Sequence, residues 1–303
     1  MMIALGKDPA LVTHYVRNLH GGSQPILARA SDGFLYVVKF ANNLQGPNLL
    51  FNESAGSELY RACGLPVPKW RPLEITDEFL DRNPDCWMGT PEGRLRPASG
   101  LCFGSRFVGG NGSRLFEILP GSMFKRVRNQ FSFWLAWLID ICAEHVDHRQ
   151  AIFADDSDGW LDTYFIDHGH LFSGPNGDLR RNFRASRYLD ERIYGQASSE
   201  ALADFQDVLQ AFDADRLRQV IEAIPAEWSQ ATARESFERC LQRLTTTSLV
   251  QHLLETIILD LEQRAEEESG IVGGEKKPPS TVLCHGLHGA RLWRSITQHA
   301  HCA

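Results

Sequence analysis

Two aspartates in this chain stand in settings suited to moving a phosphoryl group. Asp147 lies in Glu144-His145-Val146-Asp147-His148-Arg149-Gln150, a polar run just before an apolar, strand-like stretch. Asp167 lies in Phe165-Ile166-Asp167-His168-Gly169-His170, just after another such stretch. Phosphoryl transfer needs backbone amides around the phosphates, a cation on the nucleotide, a carboxylate near the attacking hydroxyl and a carboxylate on a metal ion. Each has a candidate here. Glycine-rich His20-Gly21-Gly22-Ser23-Gln24 comes first, then Lys39 at the end of an apolar run, then Glu53, then Asp147 and Asp167.

Each candidate also has a plainer reading. Paired glycines let a backbone approach a phosphate, but they also make ordinary tight turns. Lys39 is either a cation for the α- and β-phosphates or a strand-end lysine that reaches water. Glu53 could brace Lys39, or face solvent in a first helical turn where the helix dipole favours it. Asp147 would orient an attacking hydroxyl and accept its proton, and His145-x-Asp147 echoes the His-Arg-Asp of protein kinases. Otherwise its run is a polar helix end, with His148 and Arg149 complementing the dipole. His145, Asp147 and His148 could instead hold a metal, although their spacing fits no strong zinc template. An Asp-x-Gly after a buried strand is a Mg²⁺-binding pattern, and two histidines around Gly169 are unusual for a plain turn. Cys284, His285, His288, His299, His301 and Cys302 are soft ligand types near the C-terminal end, read as incidental.

Elements must hold these residues in place. Gln24–Ala30 and Phe34–Phe40 read as a hairpin about the Ser31-Asp32-Gly33 turn. Leu49–Cys63 has helical spacing, stopped by Gly64, Pro66 and Pro68. Trp70–Thr76 and Gly100–Val108 are further strands, and Asp77–Ser99 between them reads as a loop or irregular insertion. Met123–Glu144 reads as one long helix, so the Asp147 run would terminate it. Ala151–Phe153 and Thr163–Ile166 are short strands around an acidic turn, Asp155–Gly159. Ser198–Ile224 and Ala231–Glu267 hold amphipathic helices, and the pattern fails from Glu268 on, where a disordered tail is expected.

Bulk composition narrows the field. The 303 residues are 43% hydrophobic and 23% charged, an ordinary globular balance with ample material for a core. A net charge of -7 gives no sign of a general nucleic-acid binder. The 7 cysteines are odd in number and irregularly spaced, which argues against a disulfide framework and for a reducing, cytoplasmic setting. No basic segment followed by a long apolar stretch marks a signal peptide, and the apolar run Phe131–Ala143 is too short to span a bilayer, so no membrane partner is expected.

Taken together, these motifs resemble the HipA-like kinases. The resemblance is carried by Gly-Gly-Ser-Gln, Tyr-Val-Val-Lys-Phe, the Gln-Gly-Pro loop, Asn-Glu and Gly-Leu-Pro-Val-Pro between His20 and Pro68. Gly100–Arg106, Asp147-x-Arg149-Gln150 and Ile166-Asp167-His168-Gly169-His170 add to it. It implies an α+β, two-lobed protein-kinase-like fold, with a small β-rich N-lobe containing one helix and a larger helical C-lobe. The divisions would be 1–105, 106–267 and the tail 268–303. It implies ATP and Mg²⁺ as cofactors. Gly21, Gly22, Ser23 and Gln24 would form the phosphate loop, and Lys39, braced by Glu53, would hold the phosphates. Asp147 would be the catalytic aspartate and Asp167 the metal ligand. The acceptor would be a protein Ser/Thr hydroxyl, with a small molecule as the alternative, and an antitoxin-like regulator is a candidate partner. One position departs. A metal-binding Asn usually stands five residues after the catalytic aspartate, and Ile152 is there; Gln150 is the nearest substitute, because its amide oxygen can face Mg²⁺. The departure motivates a pseudokinase or regulatory module as a second reading. A metal-dependent hydrolase built on His145, Asp147, Asp167 and His170 is a third.

Overall fold

A computed structural model describes residues 8–109, 114–155, 158–177, 186–194, 199–255 and 259. The fold is mixed α/β. It opens with strands β1 (Ala10–Asn18), β2 (Ile26–Ala30) and β3 (Leu35–Lys39). The β2–β3 hairpin turns where expected: Gly33 takes φ +85°, and Asp32 Oδ1 accepts the Phe34 N–H at 3.2 Å. Helix α1 (Leu49–Ala62) follows, then β4 (Trp70–Ile75) and, further on, β7 (Gly100–Arg106). In the order β1-β2-β3-β7-β4 these strands close into a barrel, β4 returning parallel to β1. The interior holds Val12, Ile26, Ala28, Val38, Leu73 and Cys102. Strand β1 has no counterpart among the sequence expectations. Its register slips twice, between Val12 and His14 and between Tyr15 and Arg17, and each slip breaks the alternation by which a half-buried strand is read.

Two expectations are corrected. Asp77–Ser99 is not an irregular loop. It contains helix α2 (Asp77–Arg82) and a hairpin of β5 (Met88–Thr90) and β6 (Gly93–Leu95). Thr76 Oγ1 caps α2 by accepting the Phe79 N–H at 3.1 Å, with Asp77 and Glu78 in the first turn. Elements of six and three residues are too short for periodicity to reveal. Nor is Met123–Glu144 one helix. A 3₁₀ segment at Gly121–Arg126 precedes helix α3 (Ser132–Cys142). Val127 and Arg128 between them are drawn into strand pairing with Leu161, whose carbonyl accepts the Arg128 N–H at 3.1 Å. Glu144–Arg149 is therefore a loop beyond α3, not a helix end, and Glu144 itself turns it with φ +53°.

Strands β8 (Leu115–Phe116), β9 (Gln150–Asp155) and β10 (Leu161–Ile166) form a small sheet in the order β10-β9-β8. Helices α4 (Ser199–Gln210), α5 (Ala214–Glu222) and α6 (Ala231–Thr245) follow, with a further helical stretch over 247–255. The larger core joins α1 to this half through Phe51, Tyr60, Phe133, Trp137, Phe165, Phe172 and Phe237. Among the described residues no helix is long and apolar enough to cross a membrane. The expected tail at 268–303, with its cysteines and histidines, lies outside the described residues.

Candidate functional site

Lys39 ends β3 with its side chain only 8% exposed. A buried ammonium needs partners, and it has two. Nζ donates to Glu53 Oε1 of α1 at 2.5 Å and to Asp167 Oδ1, just past β10, at 2.7 Å. Burial alone would lower the Lys39 pKa, but the Asp167 and Glu53 charges outweigh it and raise it. Burial pushes Asp167 up, yet Lys39 pulls it further down, well below the usual carboxylate range. Glu53 moves the other way, pushed up by burial against the pull of Lys39. The shared cation thus keeps Asp167 ionised and itself stays charged.

Glu53 also grips the loop that carries Asp167. Its Oε1 accepts the Gly169 N–H at 2.8 Å, and Oε2 accepts the His168 N–H at 3.3 Å. Asn52 Nδ2 donates to the carbonyls of Gly169 and Leu171 at 2.9 and 2.8 Å. A Cβ on Gly169 would stand 2.3 Å from Leu49 Cδ1 and 2.9 Å from Glu53 Oε1, so only glycine lets the loop come this close. One turn further along α1, Gly56 makes the same room for His168 and Leu171.

The Asp147 loop runs beside it. The Val146 N–H donates to the His170 carbonyl at 3.0 Å, and the Phe172 N–H to the Ala143 carbonyl at 2.7 Å. His145 Nδ1 donates to the Asp147 carbonyl at 2.6 Å, and Asp147 Oδ1 accepts the His148 N–H at 2.7 Å. Burial, helped by Arg149, lowers the His145 pKa to about 4, so the ring is neutral at pH 7. Asp147 is half-buried. Gln150, the first residue of β9, donates from Nε2 to Asp167 Oδ2 at 2.8 Å.

The glycine-rich loop joins β1 to β2. Gly21 takes φ +127° and Gln24 φ +44°. The Ser23 carbonyl accepts from Asn43 Nδ2 at 2.7 Å. The Gln24 side chain is engaged at both ends with β5: Nε2 donates to the Gly89 carbonyl at 2.9 Å and Oε1 accepts the Gly89 N–H at 2.5 Å. Gln24 therefore fastens the loop to the β5–β6 hairpin through its side chain.

Lys39, Glu53, Asp167 and Gln150 are thus in direct contact, with Asp147 on the adjoining loop. The other metal proposals fare worse. His148 is exposed while His145 is buried. Among the described residues no three His, Cys, Asp or Glu side chains converge as a metal-holding group.

No family model matches the chain, so the HipA-like resemblance rests on its motifs alone. No curated protein matches it. Solved structures do. A crystal structure of the Golgi casein kinase aligns over 82% of this chain and 74% of its own, at 14% identity and TM-score 0.46. A crystal structure of the Golgi casein kinase with Mn/ADP bound aligns over 83% and 74%, at 14% identity and TM-score 0.44.

Behind the site lies a buried pair that the sequence reading passed over. Asp140 lies within the apolar run Phe131–Ala143, and Arg149 reads there as a dipole partner. In the fold Arg149 Nη2 and Nε donate to Asp140 Oδ1 and Oδ2 at 2.6 and 2.9 Å. Arg149 Nη1 donates to the Ile166 carbonyl at 3.0 Å, one residue before Asp167. The Tyr60 and Ser186 hydroxyls complete the Asp140 shell at 2.6 Å each. A lone aspartate in an otherwise apolar helix was the available signal, because a buried carboxylate must find a cation.

Proposed function

We propose that this chain transfers the γ-phosphoryl group of ATP to a hydroxyl acceptor, as a protein-kinase-like enzyme of HipA-like type. The observation that carries this is the sharing of Lys39 between Glu53 and Asp167, from three separate elements, with Gln150 on the second oxygen of Asp167. The division expected from the sequence, 1–105 as the nucleotide-binding lobe and 106–267 as the catalytic lobe, is part of this proposal.

The residues fit a hard divalent cation. Asp167 is held ionised, each of its oxygens has more than one lone pair, and half a turn of the Gln150 amide would add a second oxygen. Asp167 and Gln150 would hold Mg²⁺, which when bound neutralises charge on the β- and γ-phosphate oxygens. Lys39, charged and fixed by Glu53, orients the phosphates. Asp147 accepts the acceptor's proton as its oxygen bonds to the γ-phosphorus. The bond from that phosphorus to the bridging oxygen breaks, and its electron pair leaves with ADP. We take the acceptor to be a protein Ser/Thr hydroxyl on the strength of the motif resemblance.

A second reading, a nucleotide-binding module without turnover, is favoured by Ile152, which sits on β9 opposite Tyr164. Mg²⁺-dependent ATP turnover and labelling of the protein itself and of cell extract test both readings. Wild type should transfer phosphate. Asp167→Asn should weaken Mg-nucleotide binding. Asp147→Asn should spare binding and lower kcat by at least about 100-fold. Binding without transfer by wild type would favour the module, and label found only in small molecules would move the acceptor. Equal binding losses in the two variants would contradict the separate roles.

A further inference from the structure

Two glycines open the phosphate loop, and they are glycine for different reasons. Gly21 has φ +127°, which only glycine adopts readily, and open space around it. Gly22 is outside the left-handed region, so its backbone would accept another residue. What excludes a side chain at Gly22 is Gln45: a Cβ would lie 2.6 Å from Gln45 Nε2, and within 4 Å its nearest atoms all belong to that amide. The tip of a glutamine usually swings aside cheaply. This one is held, since Nε2 donates to His170 Nε2 at 3.1 Å.

The Gln45 backbone is held as well. Its backbone N–H donates to Asn43 Oδ1 at 3.1 Å, and its carbonyl accepts from Asn176 Nδ2 at 2.8 Å. Asn43 in turn donates to the Ser23 carbonyl of the phosphate loop at 2.7 Å. His170 follows Asp167 by three residues, and its carbonyl accepts the Val146 N–H beside Asp147. The Gln45 amide therefore stands between the loop assigned to the phosphates and the two loops assigned to the metal and the acceptor.

We propose that Gln45 is a positioning residue: its amide, braced by His170, is the stop against which Gly22 seats, and it sets the phosphate loop at a fixed height over the Asp167 loop. This rests on the nucleotide reading above. Losing Gln45 leaves the loop's backbone ties intact but removes the stop, so amides that should meet the phosphates are no longer pre-set. Such a loss appears chiefly as weaker ATP binding, because pre-organisation is lost while the reacting groups stay in place.

The test measures Mg²⁺-dependent ATP turnover by the full chain across ATP concentrations for wild type, Gln45→Ala, Gly22→Ala and the double variant, with thermal midpoints alongside. Gln45→Ala should raise KM for ATP about 3- to 10-fold, the value of one hydrogen-bonded contact. Its kcat should stay within about twofold, and its thermal midpoint should fall by no more than the few degrees that one lost hydrogen bond costs. Gly22→Ala should also raise KM, by displacing the amide. In the Gln45→Ala background, adding Gly22→Ala should cost little more, since the obstacle is gone. An unchanged KM in Gln45→Ala, or single effects that multiply in the double variant, would overturn the positioning role while leaving the nucleotide reading standing. Wild type that neither binds nor turns over Mg-ATP would instead overturn the nucleotide reading and this inference with it.

Discussion

At the scale of residues, Lys39 is where stability and chemistry meet. Among the described residues its ammonium bridges Glu53 and Asp167, so its removal leaves two carboxylates facing each other in a largely dry site. Breaking a buried pair in this way costs about 3 kcal/mol or more. Lys39→Met should therefore lose about that much in urea denaturation at pH 7. Adding Glu53→Gln should recover part of it by removing one uncompensated charge. A loss under about 1 kcal/mol would mean that water screens the pair and that the cation is not fixed. The lysine itself was legible in the sequence as a charged end to an apolar strand. Its two partners were not equally so: Glu53 lies 14 residues away, whereas Asp167 lies 128 away.

At the scale of elements, α1 and the loop after α3 carry the site. Asn52, Glu53 and Gly56 present two bonding groups and one absent side chain to the Asp167 loop, which explains why so much of α1 is buried although its sequence is only modestly apolar. The Asp147 loop is held from beneath by Asp140 and Arg149. Arg149→Met should cost about 3–5 kcal/mol, because Asp140 is then buried as a charge with only the Tyr60 and Ser186 hydroxyls. Adding Asp140→Leu should cost much less than the sum of the single changes, since neither charge remains. Additive losses in chemical denaturation would show that the two side chains do not act as a pair.

At the scale of the whole molecule, the buried histidines tie stability to pH. His145 titrates at about 4 in the fold, against 6.5 as its ordinary value, and His168 shifts in the same direction, in each case chiefly through burial and then Arg149. As pH falls below 6.5 the unfolded chain takes up these protons first, so stability declines from 6.5 toward 4. Asp140 and Asp167 are lowered from 3.8, so their contributions are lost only below that range. Glu53, raised from 4.5, works in the opposite sense above that value. His145 alone should remove about 2 kcal/mol between pH 7 and pH 5. Unfolding free energies at the two pH values should show that decline in wild type and a shallower one in His145→Asn. Equal slopes would place the proton uptake elsewhere.

The sequence by itself determined the pieces whose signals are local. The β2–β3 hairpin, α1 with its Gly64 stop, Lys39 at a strand end and Asp167 after a buried strand all follow from turn chemistry, apolar spacing and the cost of burying charge. Tertiary structure decided what those signals do not reach. It chose the partner of each buried charge, Asp167 for Lys39 and Arg149 for Asp140. It recruited a bulged β1 to close the barrel, and it spent the Gln24 amide on Gly89 while leaving Gln45 to fill the space under Gly22. Periodicity extends only over neighbouring residues, whereas a buried polar group is satisfied by whatever the packed chain brings beside it.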